Sequence, residues 1–127
     1  MSETIEEQIR QRQEEGNALY YPAKMLALKL GERHPKKHGS IMIFKGGLGE
    51  SFFEIHYDTF APNLSVYDRS GNSILYFHLG KIERYKRGPW VTLLQTMVRP
   101  VLRKIEREKT EQSKKKEQER LEDWGLA

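Results

Sequence analysis

The stretch from Ser51 to Leu79, SFFEIHYDTFAPNLSVYDRSGNSILYFHL, decides the fold. Three short runs, SFFEIHYD, LSVYD and SILYFHL, are rich in aromatic and β-branched residues and are separated by Gly, Pro and Asn, the pattern of antiparallel strands. Side chains alternate between the two faces of a strand. Phe53, Ile55 and Tyr57 therefore share one face, and Glu54, His56 and Asp58 share the other. The segment DRSGN puts Asp68 at the first and Gly71 at the fourth position of a type I turn, a hairpin signal. In the last run both alternating sets are apolar enough to be buried. A three-residue loop pairs Val66 with Ile74, whereas a two- or four-residue loop pairs Val66 with Leu75. Leu75, Phe77 and Leu79 are read as core, which puts His78 beside His56 on the polar face.

Upstream, SIMIF supplies one more strand, joined to the next by KGGLGE. That Gly-rich loop has no Lys-Ser or Lys-Thr after it and leads into a strand, so it reads as a hairpin turn and not as a phosphate cradle. Thr4-Ile5-Glu6-Glu7 has the form of a capping box. A helix from Ile5 to Glu15 should follow, with Ile5 and Ile9 its only apolar pair and Gly16-Asn17 its end. Pro22 suits the first turn of a second helix, Met25, Leu26, Leu28 and Leu30 give it apolar surface, and Gly31 stops it.

Downstream, Pro89 opens the best amphipathic helix of the chain, with Trp90, Leu93, Leu94, Met97, Val98, Val101, Leu102 and Ile105 at helical spacing. Pro100 lies inside it and predicts a kink or a break. The expected fold is thus α+β: two N-terminal helices, a four-stranded antiparallel meander, and a long amphipathic C-terminal helix with a polar extension. Residues 1–16 are read as a loosely docked helix, 17–107 as a single α+β domain, and 108–127 as a polar extension, helical or disordered.

Of the 127 residues, 37% are hydrophobic and 31% charged, which suits one domain with a small core and some solvated helix. No run approaches the roughly 18 apolar residues of a membrane span, and the acidic N-terminus is unlike a secretory signal. A cytoplasmic protein without a membrane partner is expected. Cysteine is absent, which excludes disulfides, thiolate metal sites and a Cys nucleophile.

The net charge of +4 is unevenly spread, because residues 81–109 hold nine Lys or Arg against three Glu, a net of +6. Such asymmetry points to a polyanion. Within KIERYKRGPW, Lys81, Arg84, Lys86 and Arg87 precede a helix whose first amides are free, and Tyr85 and Trp90 add flat rings. Arg99, Arg103 and Arg107 recur every four residues, one stripe if the helix survives Pro100. A nucleic acid would use both features, with cations tracking phosphates and rings stacking on unpaired bases.

His56, Asp58, Glu54 and His78 have the ligand types of a divalent-metal site, and also contain a possible acid/base pair, but a solvated sheet face accounts for them and no nucleophile stands beside them. No catalytic residue, metal or cofactor is assigned. The expected function is a non-enzymatic basic binding protein contacting nucleic acid through residues 81–107. The alternative is a protein-interaction subunit or homo-oligomer, docking through the sheet face or through Leu121, Trp124 and Leu126 in the otherwise polar tail.

Overall fold

The computed structural model describes residues 4–35 and 40–123. Helix α1 (Ile5–Asn17) starts at Thr4, whose hydroxyl accepts a hydrogen bond from the Glu7 amide at 3.2 Å. After Ala18 and Leu19 the chain enters α2 (Tyr20–Leu30), which Gly31 ends by donating its amide to the Ala27 carbonyl. Strands β1 (Glu32–Arg33), β2 (Ile41–Gly46), β3 (Phe53–Asp58), β4 (Leu64–Tyr67), β5 (Ser73–His78) and β6 (Lys81–Tyr85) follow, with a single 3-10 turn at Gly49–Ser51, and α3 (Pro89–Asp123) closes the chain. The strands form one antiparallel meander in the order of the chain.

One face of this sheet is the floor of the core. Phe44, Phe53, Ile55, Tyr57, Leu64, Val66, Leu75 and Phe77 point inward and meet Leu19, Ala23, Leu26 and Ala27 of the α1–α2 region and Trp90, Val91, Leu94, Val98 and Val101 of α3. The Tyr20 and Phe77 rings meet edge-on with centroids 4.9 Å apart. No charged or non-aromatic polar side chain is buried among the described residues, so hydrophobic burial is the main force holding the layers together. Among the same residues no helix is long and apolar enough to cross a membrane.

The α+β class and the element order agree with the expectation, but among the described residues the sheet has six strands and not four. The Glu32–Arg33 strand is two charged residues paired with Met42 and Ile43, and carries no apolar signal. The Lys81–Tyr85 strand is concealed by a bulge. Leu75 pairs with Tyr85 and Tyr76 with Arg84, then the register shifts so that Phe77 pairs with Ile82. Glu83 is the extra residue, and the two inward side chains, Ile82 and Tyr85, fall three apart instead of two.

Leu79 is also corrected. Val66 pairs with Leu75 as expected, but a second bulge sits between Tyr67 and Val66, and it lets Ile74 and Leu75 both bury. Leu79 leaves the core and lies 60% exposed in the turn to β6. Of the kink or break expected at Pro100, the break does not occur, since α3 runs through that residue as one helix. Thr96, whose carbonyl would otherwise accept from residue 100, is exposed, as is Pro100, so water can satisfy the freed group.

Candidate nucleic-acid interface

The stretch from Lys81 to Trp90 divides between a sheet edge and the core. Tyr85 faces inward over Gly16, where a β-carbon would come within 3.2 Å of the Tyr85 Cβ and Cγ. The absence of a side chain at Gly16 is what lets α1 approach β6. The Tyr85 hydroxyl donates to Glu15 Oε1 at 2.8 Å, and Arg87 Nε meets the same oxygen at 3.1 Å. Burial, reinforced by the hydrogen bond to the Glu15 carboxylate, holds the Tyr85 phenol well above the usual tyrosine range. Trp90 is only 3% exposed, its Nε1 donates to the Lys86 carbonyl at 3.0 Å, and its ring packs near Phe53 and Tyr85. Trp90 is therefore a core anchor, and Tyr85 and Arg87 hold the first helix. Neither ring stands open to a base.

Lys81, Arg84 and Lys86 remain exposed. By strand register Arg84 lies across from Tyr76 and Lys81 across from His78, on the sheet face away from the helices. On α3 the three arginines at 99, 103 and 107 are all exposed. Because the helix is continuous, they recur with about 6 Å of rise between neighbours. None of the three enters an ion pair among the described residues. The structure thus separates the sequence-selected cations into two groups, since α3 packs on the inner face of the sheet through Trp90 and Leu94.

The polar residues of the sheet are mostly engaged with one another. His56 Nε2 and Glu54 Oε1 are 2.9 Å apart. Asp58 Oδ1 accepts from the amides of Phe60 at 3.0 Å and Ala61 at 3.4 Å, closing its own turn. The Tyr76 hydroxyl and His78 Nδ1 are 3.3 Å apart. Among the described residues no group of three or more His, Cys, Asp or Glu side chains is placed to hold a metal ion.

Sequence reasoning missed Tyr67 and Tyr76, which share the outward face with His56. Their signal was the alternation LSVY and ILYF, legible only once the register is known. Leu121 lies in the last turn of α3, but its side chain, together with Trp124 and Leu126, falls outside the described residues. Comparison with known proteins yields no matching family model, no similar curated protein and no similar solved structure.

Proposed function

We propose that this protein is a small non-enzymatic binding module whose partner is nucleic acid, gripped along the exposed side of α3 by Arg99, Arg103 and Arg107. The observation that carries the reading is the unbroken course of α3 through Pro100, which keeps three exposed, ion-pair-free guanidinium groups in series. Their axial repeat of about 6 Å suits successive phosphates of a polynucleotide, and guanidinium forks bind phosphate oxygens bidentately. The +6 of residues 81–109 adds a field that draws the polyanion in. Anisotropy titrations of a labelled oligonucleotide at several salt concentrations test it. Replacing Arg99, Arg103 and Arg107 with Ala should weaken binding and flatten the log–log salt slope by roughly 2 to 3. Absence of binding by the unaltered protein at low salt refutes the reading.

A second reading, a protein-interaction subunit, is favoured by one feature. Phe60 and Leu79 are 88% and 60% exposed, and Asn63 Oδ1 ties their two loops together by accepting from the Leu79 amide at 2.8 Å. Loss of partner capture in Phe60→Ser, with oligonucleotide binding unchanged, supports this reading against the first.

A further inference from the structure

Among the described residues no helix packs over the outward face of the sheet, and the register sets its side chains in rows. One row runs Glu32, Ile43, His56, Ser65, Tyr76 and Arg84 across β1 to β6. The next holds Lys45, Glu54 and Tyr67, and on the other side His78 faces Lys81. Four rings therefore lie on one surface. His56 and Tyr67 meet edge to face with centroids 5.0 Å apart, while Tyr76 and His78 are 6.3 Å apart with their planes inclined by 33°. Each ring is braced by its neighbour, so little rotamer freedom remains to be lost when a planar ligand settles on it.

Charges of both signs share this face, with the carboxylates of Glu32, Glu54 and Asp58 on β1 and β3 and the cations of Lys81 and Arg84 on β6, three strands or more from them. The Glu54 carboxylate is engaged by His56 and that of Asp58 by backbone amides. Lys45, Lys81 and Arg84 are exposed and enter no ion pair among the described residues. Arg84 and Lys81 flank the Tyr76–His78 rings at the β6 edge, and Lys45 stands near the Tyr67–His56 rings on the other side. Neighbouring strands are about 4.8 Å apart, which leaves Tyr76 roughly 10 Å from His56 and one strand from Arg84. Rings for bases, with cations beside them for phosphates, recur on sheets that bind unpaired strands. A duplex hides the flat faces of its bases and cannot use the rings.

On these grounds we infer that the open sheet face is a stacking platform for single-stranded nucleic acid, with Tyr67 and Tyr76 the principal ring contacts and Arg84, Lys81 and Lys45 its phosphate contacts. The inference rests on nucleic acid being the partner, but concerns a site on the opposite side of the sheet from the arginines of α3.

The test compares labelled oligothymidylate, oligouridylate and a mixed-sequence duplex of equal length on the full chain. The wild type should bind at least one single strand more tightly than the duplex. Tyr67→Ala with Tyr76→Ala should weaken single-strand binding about tenfold or more, leave duplex binding and the salt slope unchanged, and be rescued by Phe at both positions. Cross-linking of a 5-bromouridine oligonucleotide to the unaltered protein needs no variant, and should label the peptides bearing Tyr67 and Tyr76. Wild-type affinity in the Ala pair, failure of the Phe pair to rescue, or cross-links confined to α3 overturns the platform while the α3 reading stands. A sedimenting dimer lost in the Ala pair would assign the face to a second copy and overturns it equally. No oligonucleotide binding at low salt removes both.

Discussion

Replacing Leu79 with Asn should make the protein more stable, although Leu79 belongs to an apolar run. In the two-residue turn between β5 and β6, Leu79 has φ 50° and Gly80 φ 80°, the paired positive values of a type I′ hairpin turn. For a leucine the left-handed region costs roughly 1–2 kcal/mol, because its β-carbon crowds the following carbonyl, whereas Asn adopts it readily. The opposing effect is the loss of leucine contacts. Full burial of Leu gives about 1.5–3 kcal/mol, and Leu79 is 60% exposed, so about 1 kcal/mol or less is at stake. Asn keeps part of it through its own Cβ. The amide bond to Asn63 Oδ1 uses the backbone and survives the change. The net expectation is a gain of about 0.5–1 kcal/mol, or roughly 2–5 °C in Tm. Urea and thermal melts of Leu79→Asn and Leu79→Ala decide it. Ala removes the contacts without relieving the backbone, so it should be neutral or destabilising. An Asn variant less stable than wild type would refute the reasoning, and would mean that the Leu79 side chain packs more than its exposure indicates.

Three other expectations concern stability. Gly47 has φ 81°, and a β-carbon there would come within 2.5 Å of the Ser51 carbonyl oxygen and 2.6 Å of Leu93 Cδ2, whereas Gly49 (φ 59°) has open space around it. Gly47→Ala should therefore cost about 2–4 kcal/mol in denaturant melts and Gly49→Ala about 1–2; equal costs would contradict the close approach of this loop to α3. Tyr85 ionises less readily folded than unfolded, so its contribution is complete below pH 10 and lost as the pH rises above 10. Tyr85→Phe should be less stable at pH 8 yet lose stability less steeply above pH 10, as alkaline denaturation curves would show. Glu15→Ala removes the acceptor of both Tyr85 and Arg87 and should speed amide exchange in α1 while leaving the amides of β3 and β4 protected.

The elements legible in the sequence were those whose side chains keep a strict period. Phe53, Ile55 and Tyr57 alternate without interruption, and Asp68 and Gly71 close the expected turn, with the Gly71 amide donating to the Asp68 carbonyl at 3.0 Å. The sixth strand was hidden for two physical reasons. A bulge at Glu83 breaks its period, and its hairpin turns on Leu-Gly in place of the Asn-Gly or Asp-Gly pair that announces such turns. Leu79 read as core for the same reason, since its place in the alternation says nothing of the turn. At the candidate site, the arginine spacing on α3 was legible because a helix maps four residues onto one side. The rings of the sheet were not, because which of them share a face depends on pairing between strands.

The meander has a consequence for how the chain folds. All strand pairings join neighbours in sequence, so each closes a short loop and fixes few residues before its contacts form. The long closures are left to the helices, α2 against α3 and α1 against β6. Successive hairpins can therefore form the folding nucleus, and α3 settles over the sheet afterwards. A chain of this order should fold quickly for a β-rich protein, and substitutions at Trp90 or Leu94 should alter its rate of folding less than substitutions at Val66 or Leu75.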